Sequence, residues 1–301
     1  MAGSLIQGAV TRDNLRPVTT QATQAATVAD VCALLDSWYP PAWAESWDRV
    51  GLVLGDPDAP VRRILCVVDC VPETAAEALD RGADLIVAHH PLLLRGVSSV
   101  APTTYKGRIV HQLIRAGVAL FVAHTNADVA NPGVSDALAA RLGLRDLRPL
   151  RPAEGAAAGE GRGHGRIGRL AEPTRLGDLV RYAAEALPTA RWGVRATGDP
   201  SQTVTTVAVC GGAGDSFLAD ARDADVYLTA DLRHHPASEH ASAGDGPALI
   251  DVGHWTSERP WLDGVAERLR NATGLEVLVS DIITDPWTLH EPGRASAGTT
   301  I

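Results

Sequence analysis

Three apolar runs in this 301-residue chain end in residue types that bind metal ions. Val87-Ala88 leads into His89-His90-Pro91, Val122-Ala123 into His124-Thr125-Asn126-Ala127-Asp128, and Asp251-Val252-Gly253 into His254-Trp255-Thr256-Ser257-Glu258. Two of these endings share the spacing His-x-x-x-carboxylate. Imidazole nitrogen and carboxylate oxygen together form the donor set of borderline and hard divalent ions. One histidine at a strand end has a simple explanation, but three ends supplying both donor types point to a single convergent site.

The pattern favours two ions over one. Adjacent side chains on an extended segment point in opposite directions, so the His89-His90 pair is expected to serve two neighbouring ions rather than chelate one. Asp128 and Glu258 suit bridging or bidentate ligation, which holds two divalent ions ~3.5–4 Å apart. Five ligands, His89, His90, Asp128, His254 and Glu258, shared by two ions leave positions open to water. A closed structural site uses four ligands and leaves none. Each residue also has a plain reading. His89 or His90 can bond a backbone carbonyl, Asp128 can cap a helix, and Glu258 can favour a helix dipole. Five such coincidences at strand ends are the weaker account. His124 is assigned an orienting role behind a metal carboxylate rather than ligation. His234 and His235 have no carboxylate at matching spacing and either contact a substrate phosphate or line the pocket. His111, His164, His240 and His290 lack supporting neighbours and receive no role.

Other chemistries find little support. There is no Gly-x-Ser-x-Gly elbow, and the cysteines follow strands without a matched histidine. The formal net charge of −9 argues against a phosphate-backbone binder, which needs clustered Lys and Arg, so nucleic acid is not an expected partner. Cys32, Cys66, Cys70 and Cys210 show no paired zinc spacing and are read as reduced, buried thiols of a cytoplasmic protein. No basic segment precedes an apolar stretch, and no apolar run is long enough for a bilayer, so neither secretion nor a membrane is expected.

The elements that position these residues alternate as βαβ. Residues 1–26 lack periodicity and read as a flexible tail. A helix starts near Thr27, with Val28, Val31, Leu34 and Leu35 on one face. A strand over 64–68, a helix over 72–81, a strand over 85–88, a helix over 106–116 and a strand over 119–123 follow, which predicts a parallel sheet. The Gly/Ala-rich stretch 151–165 is read as a mobile surface loop, and with no preceding strand and no Gly-Lys-Ser/Thr it is not a phosphate loop. Strands at 204–210, 226–230 and 248–252, with a short helix at 215–222, repeat the logic. Ala83-Asp84-Leu85 through His89-His90-Pro91 parallels Ala224-Asp225-Val226 through His234-His235-Pro236, and His124-x-x-x-Asp128 parallels His254-x-x-x-Glu258. An internal duplication is inferred, whose strand ends face one cleft.

Trp47-Asp48-x-Val50-Gly51-Leu52, Ala88-His89-His90-Pro91, His124-Thr125-Asn126-Ala127-Asp128, Gly165-Arg166-Ile167-Gly168, Thr229-Ala230-Asp231-Leu232-Arg233-His234-His235 and Gly253-His254-Trp255-Thr256-Ser257-Glu258 together resemble the GTP cyclohydrolase 1 type 2 family, also called Nif-three-like proteins. The likeness spans about residues 27–290. It implies two interleaved, internally duplicated α/β domains with the metal cleft between them, residues 27–125 plus 262–301 forming one and 126–261 the other. It also implies two divalent metal ions per chain (Zn, Mn, Fe, Co or Ni), held by the five residues already selected, and a homohexameric ring. Ala230 stands where the family usually has Gly, and Val129 where Ala is common. The expected function is metal-dependent hydrolysis of a nucleotide or phosphorylated small molecule, with GTP to dihydroneopterin triphosphate plus formate as the reaction that the family name implies. The alternative is a metal-binding regulatory or scaffold ring without turnover.

Overall fold

The computed structural model describes residues 26–291, so nearly all of the expected tail at 1–26 lies outside it. The first helix, α1 (Val28–Trp38), begins where Thr27 caps it: the Thr27 hydroxyl accepts from the Asp30 amide at 3.2 Å, and the Asp30 carboxylate accepts from the Thr27 amide at 2.9 Å. Then come β1 (Gly51–Leu54), β2 (Arg63–Val67), α2 (Pro72–Asp80), β3 (Leu85–Ala88), α3 (Tyr105–Ala116) and β4 (Ala119–Val122). Two short helices, α4 (Thr125–Val129) and α5 (Val134–Arg141), carry the chain into a second unit. That unit runs β5 (Arg145–Pro152), β6 (Gly163–Arg175), α6 (Leu176–Ala186), β7 (Arg195–Ala196), β8 (Thr203–Ala213), β9 (Val226–Ala230), α7 (His234–Ala243) and β10 (Ala248–Val252). The long helix α8 (His254–Thr273) then returns, and β11 (Glu276–Val279) joins the first sheet. The α/β class with two interleaved sheets follows directly, since the first sheet is closed by a strand from the far end of the described chain.

The sheets are ordered β1-β4-β3-β2-β11 and β5-β6-β8-β9-β10-β7. In each, three consecutive strands joined by crossovers lie parallel, β2, β3 and β4 in one and β8, β9 and β10 in the other. The residues of β3, β4, β9 and β10 are buried throughout, as covered parallel strands require, which is why they read as apolar runs. The parallel pairing expected from the βαβ alternation is present in both sets of three, and antiparallel strands β1, β5, β6 and β7 are added around them. The duplication extends to individual hydrogen bonds. Asp84, leading into β3, accepts from the amides of Arg62 and Arg63 at 2.8 and 3.0 Å, and Asp225, leading into β9, accepts from Thr205 and Thr206, both at 2.8 Å.

Helices α1 and α8 cover one face of the first sheet, where Leu35, Phe121, Trp261 and Val265 meet, and α2 and α3 cover the other through Ala75, Ile109 and Leu113. In the second sheet Leu138, Leu176 and Leu179 pack on Val207, Leu228 and Ile250, while Leu150, Ile167, Tyr227 and Leu249 form the opposite layer. Two sequence expectations need correction. The 215–222 segment forms two 3-10 turns, Asp215–Phe217 and Asp220–Asp223, not an α-helix. The stretch 151–165 is a loop only in its middle: its ends belong to β5 and β6, paired as an antiparallel hairpin with Arg151 opposite His164. Gly163 and Gly165 serve strand pairing there, since a Cβ at Gly163 would lie 2.2 Å from the Arg151 carbonyl oxygen.

Candidate metal centre

Four clustered histidines of the cleft are each braced at Nδ1. His89 Nδ1 lies 2.9 Å from the Ala123 carbonyl, His90 Nδ1 2.7 Å from Asp69, His124 Nδ1 2.8 Å from Asp48, and His254 Nδ1 2.7 Å from Asp231. A carbonyl only accepts, so His89 donates from Nδ1, and its Nε2 carries the lone pair whenever the ring is neutral. The carboxylates set the same tautomer at the other three. Carboxylate–imidazole pairs of this kind orient metal-binding histidines and raise their basicity.

The local sequence explains why these braces form. Asp48, 6% exposed, accepts from both the amide and the hydroxyl of Thr125 at 3.1 and 2.5 Å, while Asn126 accepts from the His124 amide and donates to the Tyr39 carbonyl. The His-Thr-Asn-x-Asp run is therefore tied to the Trp47-Asp48 segment, and α4 starts with Asp128 turned toward the cleft. At α8, Ser257 accepts from the Gly212 amide at 2.8 Å and donates to the His254 carbonyl at 2.7 Å, which locks Glu258 beside β8. Gly212 has φ +68, and a Cβ there would lie 2.4 Å from Glu258 Oε1. Only glycine allows this close approach in that conformation.

The Nε2 atoms of His89, His90 and His254 converge on Glu258, which is 3% exposed. Its Oε1 lies 3.1 Å from His254 Nε2 and 3.5 Å from His89 Nε2, and its Oε2 lies 3.0 Å from His90 Nε2. Asp128 Oδ1 is 3.7 Å from His89 Nε2. Two donor groups result, His89 with His90 and His124, and His90 with His254 and Glu258, the atoms of each lying within 4.8 Å of one another. His89 Nε2 and Glu258 Oε2 are buried without meeting hydrogen-bond geometry to any partner. Unsatisfied donors of this chemistry in a buried cluster fit a cation.

The electrostatics agree with that fit. Burial alone would raise Glu258, yet His254, His90 and His89 hold it well below the ordinary carboxylate range. The Glu258 charge holds His254 up to about 11 against burial, with Asp231 assisting. For His90 burial opposes protonation, but Glu258 and Asp69 outweigh it and bring the ring to about 10. Asp128 is raised by burial, which His89 and His124 offset only in part. The carboxylates thus demand positive charge, supplied either by protons on the imidazoles or by a metal ion that displaces them.

Of the five ligands expected from the sequence, His89, His90, His254 and Glu258 fall in these donor groups, and Asp128 lies beside them, 3.7 Å from His89 Nε2. Three placements differ from expectation. His89 and His90 sit just beyond the end of β3, where strand alternation no longer applies, so their rings stand 4.9 Å apart and join one donor group. His124 braces no metal carboxylate; it is itself braced by Asp48 and presents Nε2 beside His89 and His90. His234 and His235 open α7 on the exposed surface and do not line the cleft cavity. Sequence reasoning passed over Asp48, Asp69, Asp231 and Gly212. The first and third were visible inside the Trp-Asp and Asp-Leu-Arg-His-His motifs, but nothing in their spacing marks them as braces.

The cluster forms one wall of a cavity of about 670 Å³, and His90 and His254 also border a second cavity of about 280 Å³ beside Trp192 and Trp287. No helix among the described residues is long and apolar enough to cross a membrane.

Fold and cluster together define a two-domain α/β protein whose duplicated strand ends build a candidate metal centre. The chain belongs to the Duf34/NIF3 (NGG1p interacting factor 3) family, whose sequence pattern matches residues 26–286. It is 51% identical to a GTP cyclohydrolase 1 type 2 homolog of Streptomyces coelicolor over 270 residues, covering 87% of this chain and 94% of that protein. A homolog of the same name from Mycobacterium tuberculosis is 40% identical, over 90% of this chain and 99% of its own length. Among solved structures, a Staphylococcus aureus hypothetical protein superposes with a TM-score of 0.81 at 29% identity, covering 89% of this chain and all of its own. A Bacillus cereus protein related to NIF3 shares the fold with a TM-score of 0.82 at 24% identity, over 89% and 100% of the two chains.

Proposed function

We propose that the cluster holds two divalent metal ions and that the protein is a metal-dependent hydrolase of a nucleotide or phosphorylated small molecule. The observation that carries this reading is the convergence of three Nδ1-braced histidines, His89, His90 and His254, on buried Glu258, with a fourth, His124, beside His89 and His90, and with His89 Nε2 and Glu258 Oε2 left unsatisfied. His89, His90, Asp128, His254 and Glu258 are the proposed ligands, and the free Nε2 of His124 makes it a sixth candidate. Glu258, with each oxygen facing a different imidazole, has the arrangement a bridging carboxylate needs. Bound divalent ions would supply Lewis acidity and activation of water near neutral pH. The chain's own contribution is to fix imidazole tautomers through Asp48, Asp69, Asp231 and the Ala123 carbonyl, and to shape the adjoining cavity. The donor set suits Zn, Mn, Fe, Co or Ni alike.

The relatives' name makes GTP the first substrate to test, with formate and dihydroneopterin triphosphate as the products sought. A homohexameric ring in the cytoplasm belongs to the same reading, on the strength of family membership. The test is metal content by inductively coupled plasma mass spectrometry on wild type and Glu258→Ala purified without chelator, followed by nucleotide turnover after metal reconstitution. About two ions per chain, falling in the variant, are expected. Metal content that is substoichiometric and unaffected by the variant would overturn the reading.

A further inference from the structure

Five carboxylates surround or brace the histidine cluster, yet the same cavity reaches one guanidinium. Arg151 is the only Lys or Arg among the described residues that line it. Arg151 and His164 face each other across the β5–β6 hairpin, and both pack on Phe217 from the turn that follows β8. The His164 ring stacks on Phe217 at 5.3 Å between centroids with 26° between planes, and the Arg151 guanidinium carbon lies 4.5 Å from the Phe217 centroid. Arg151 is oriented through Nε and Nη2, which donate to Asp220 and to the Ser216 carbonyl. Its Nη1 makes no protein hydrogen bond among the described residues. His164 Nε2 lies 3.4 Å from Glu45 at the cavity wall, and His164 is close enough to act electrostatically on Asp128. The cavity therefore runs from the metal cluster past His164 to Arg151.

We infer that Arg151 and His164 form a phosphate subsite that holds the substrate by a phosphoryl group distinct from the bond attacked at the metal cluster. This inference rests on the hydrolase reading and narrows it. The substrate class is a small molecule carrying its phosphate as a handle, with the reacting bond elsewhere, rather than a phosphoester cleaved at the metals. A guanidinium held over an aromatic ring and fixed by Asp220 and the Ser216 carbonyl keeps its remaining N–H edge pre-organised for phosphate oxygen, and an imidazole beside it supplies a second donor. A cationic anchor at the far end of the cavity from the metal cluster is what lets such a substrate orient in one direction.

The experiment is calorimetric titration of the metal-reconstituted protein with GTP and with guanosine, using wild type, Arg151→Met and His164→Asn, with metal content measured on the same samples. Arg151→Met keeps the aliphatic packing on Phe217 while removing the charge. Wild type is expected to bind GTP at least roughly ten-fold more tightly than guanosine, and Arg151→Met to lose roughly 10- to 100-fold in GTP affinity, with guanosine affinity and metal content unchanged. His164→Asn should show a smaller loss of the same kind. Equal GTP affinity in Arg151→Met and wild type, or no preference for GTP over guanosine in wild type, overturns the subsite. Absence of metal from wild type instead overturns the hydrolase reading, while the GTP–guanosine difference still reports on Arg151 alone.

Discussion

The Nδ1 of His254 lies 2.7 Å from an Asp231 carboxylate oxygen, and Asp231 follows Asp225 at the same interval as His90 follows Asp84. One position of the duplicated unit therefore gives an imidazole facing Glu258 in the first half and a carboxylate brace in the second. Asp231 adopts φ +55, a left-handed conformation uncommon outside glycine, and its side chain is held below the ordinary carboxylate range chiefly by the His254 hydrogen bond. Asp231→Asn should leave the fold intact and weaken metal affinity by about 10- to 100-fold, measured by competition with a chelator of known affinity. Unchanged affinity would mean that the brace does not tune His254.

Gly212→Ala probes the close approach at Glu258. The added methyl would meet Glu258 Oε1 at 2.4 Å in a backbone conformation that disfavours a side chain. Metal content should fall although no donor atom has been removed, and circular dichroism should remain that of the wild type. Full metal occupancy in this variant would show that Glu258 can yield without losing its role.

Arg166, 1% exposed, explains why the Gly-Arg-Ile-Gly motif matters structurally. It donates to both oxygens of Asp136 at 2.7 and 2.6 Å and to the carbonyls of Gly163, Gly165 and Ala130, fastening the β5–β6 hairpin to the loop that follows α4. Arg166→Met leaves Asp136 with the Gly133 amide but without its ionic partner, and should destabilise the protein by about 3–5 kcal/mol in denaturant unfolding of the metal-free form. A loss under about 1 kcal/mol would place the clamp elsewhere.

Asp225 supplies a pH-dependent part of stability. Burial raises its pKa, but the amides of Thr206 and Thr205 outweigh burial, so its folded value lies below the unfolded one. A depressed carboxylate stabilises the fold above its unfolded pKa of about 3.9, and this contribution disappears as pH falls through the folded value. Asp225→Asn should therefore lose about 1 kcal/mol at pH 7, and the gap to wild type should close below about pH 4. A gap that does not narrow as pH falls below about 4 would contradict the assignment.

The four thiols should be inert. Burial pushes Cys32 up to about 11 and Cys66, Cys70 and Cys210 up to about 12, so almost no thiolate exists at pH 8. Alkylation at pH 8 is expected only after denaturant is added. Prompt modification of the native protein would show that the core opens locally.

The sequence by itself determined the parallel strands and most of the donor set. Strands covered on both faces must be apolar throughout, so 64–68, 85–88, 226–230 and 248–252 stand out, and a histidine directly after such a run has little choice but to sit at a sheet's carboxyl edge. The His-x-x-x-carboxylate spacing was equally legible, because one helical turn puts both side chains on one face. Tertiary structure alone decided which carboxylates brace the imidazoles, since Asp48 reaches His124 across 76 residues and Asp69 reaches His90 across 21. It also separated His234 and His235 from the cleft: the chain after β9 turns at Asp231 before α7 begins, so the sequence parallel with His89-His90 has no counterpart in space. The Gly/Ala-rich hairpin was illegible for a related reason. Its strands take their order from backbone pairing and from the Arg166 clamp, whose partners Asp136 and Ala130 lie 30 and 36 residues away, and no local side-chain periodicity records either.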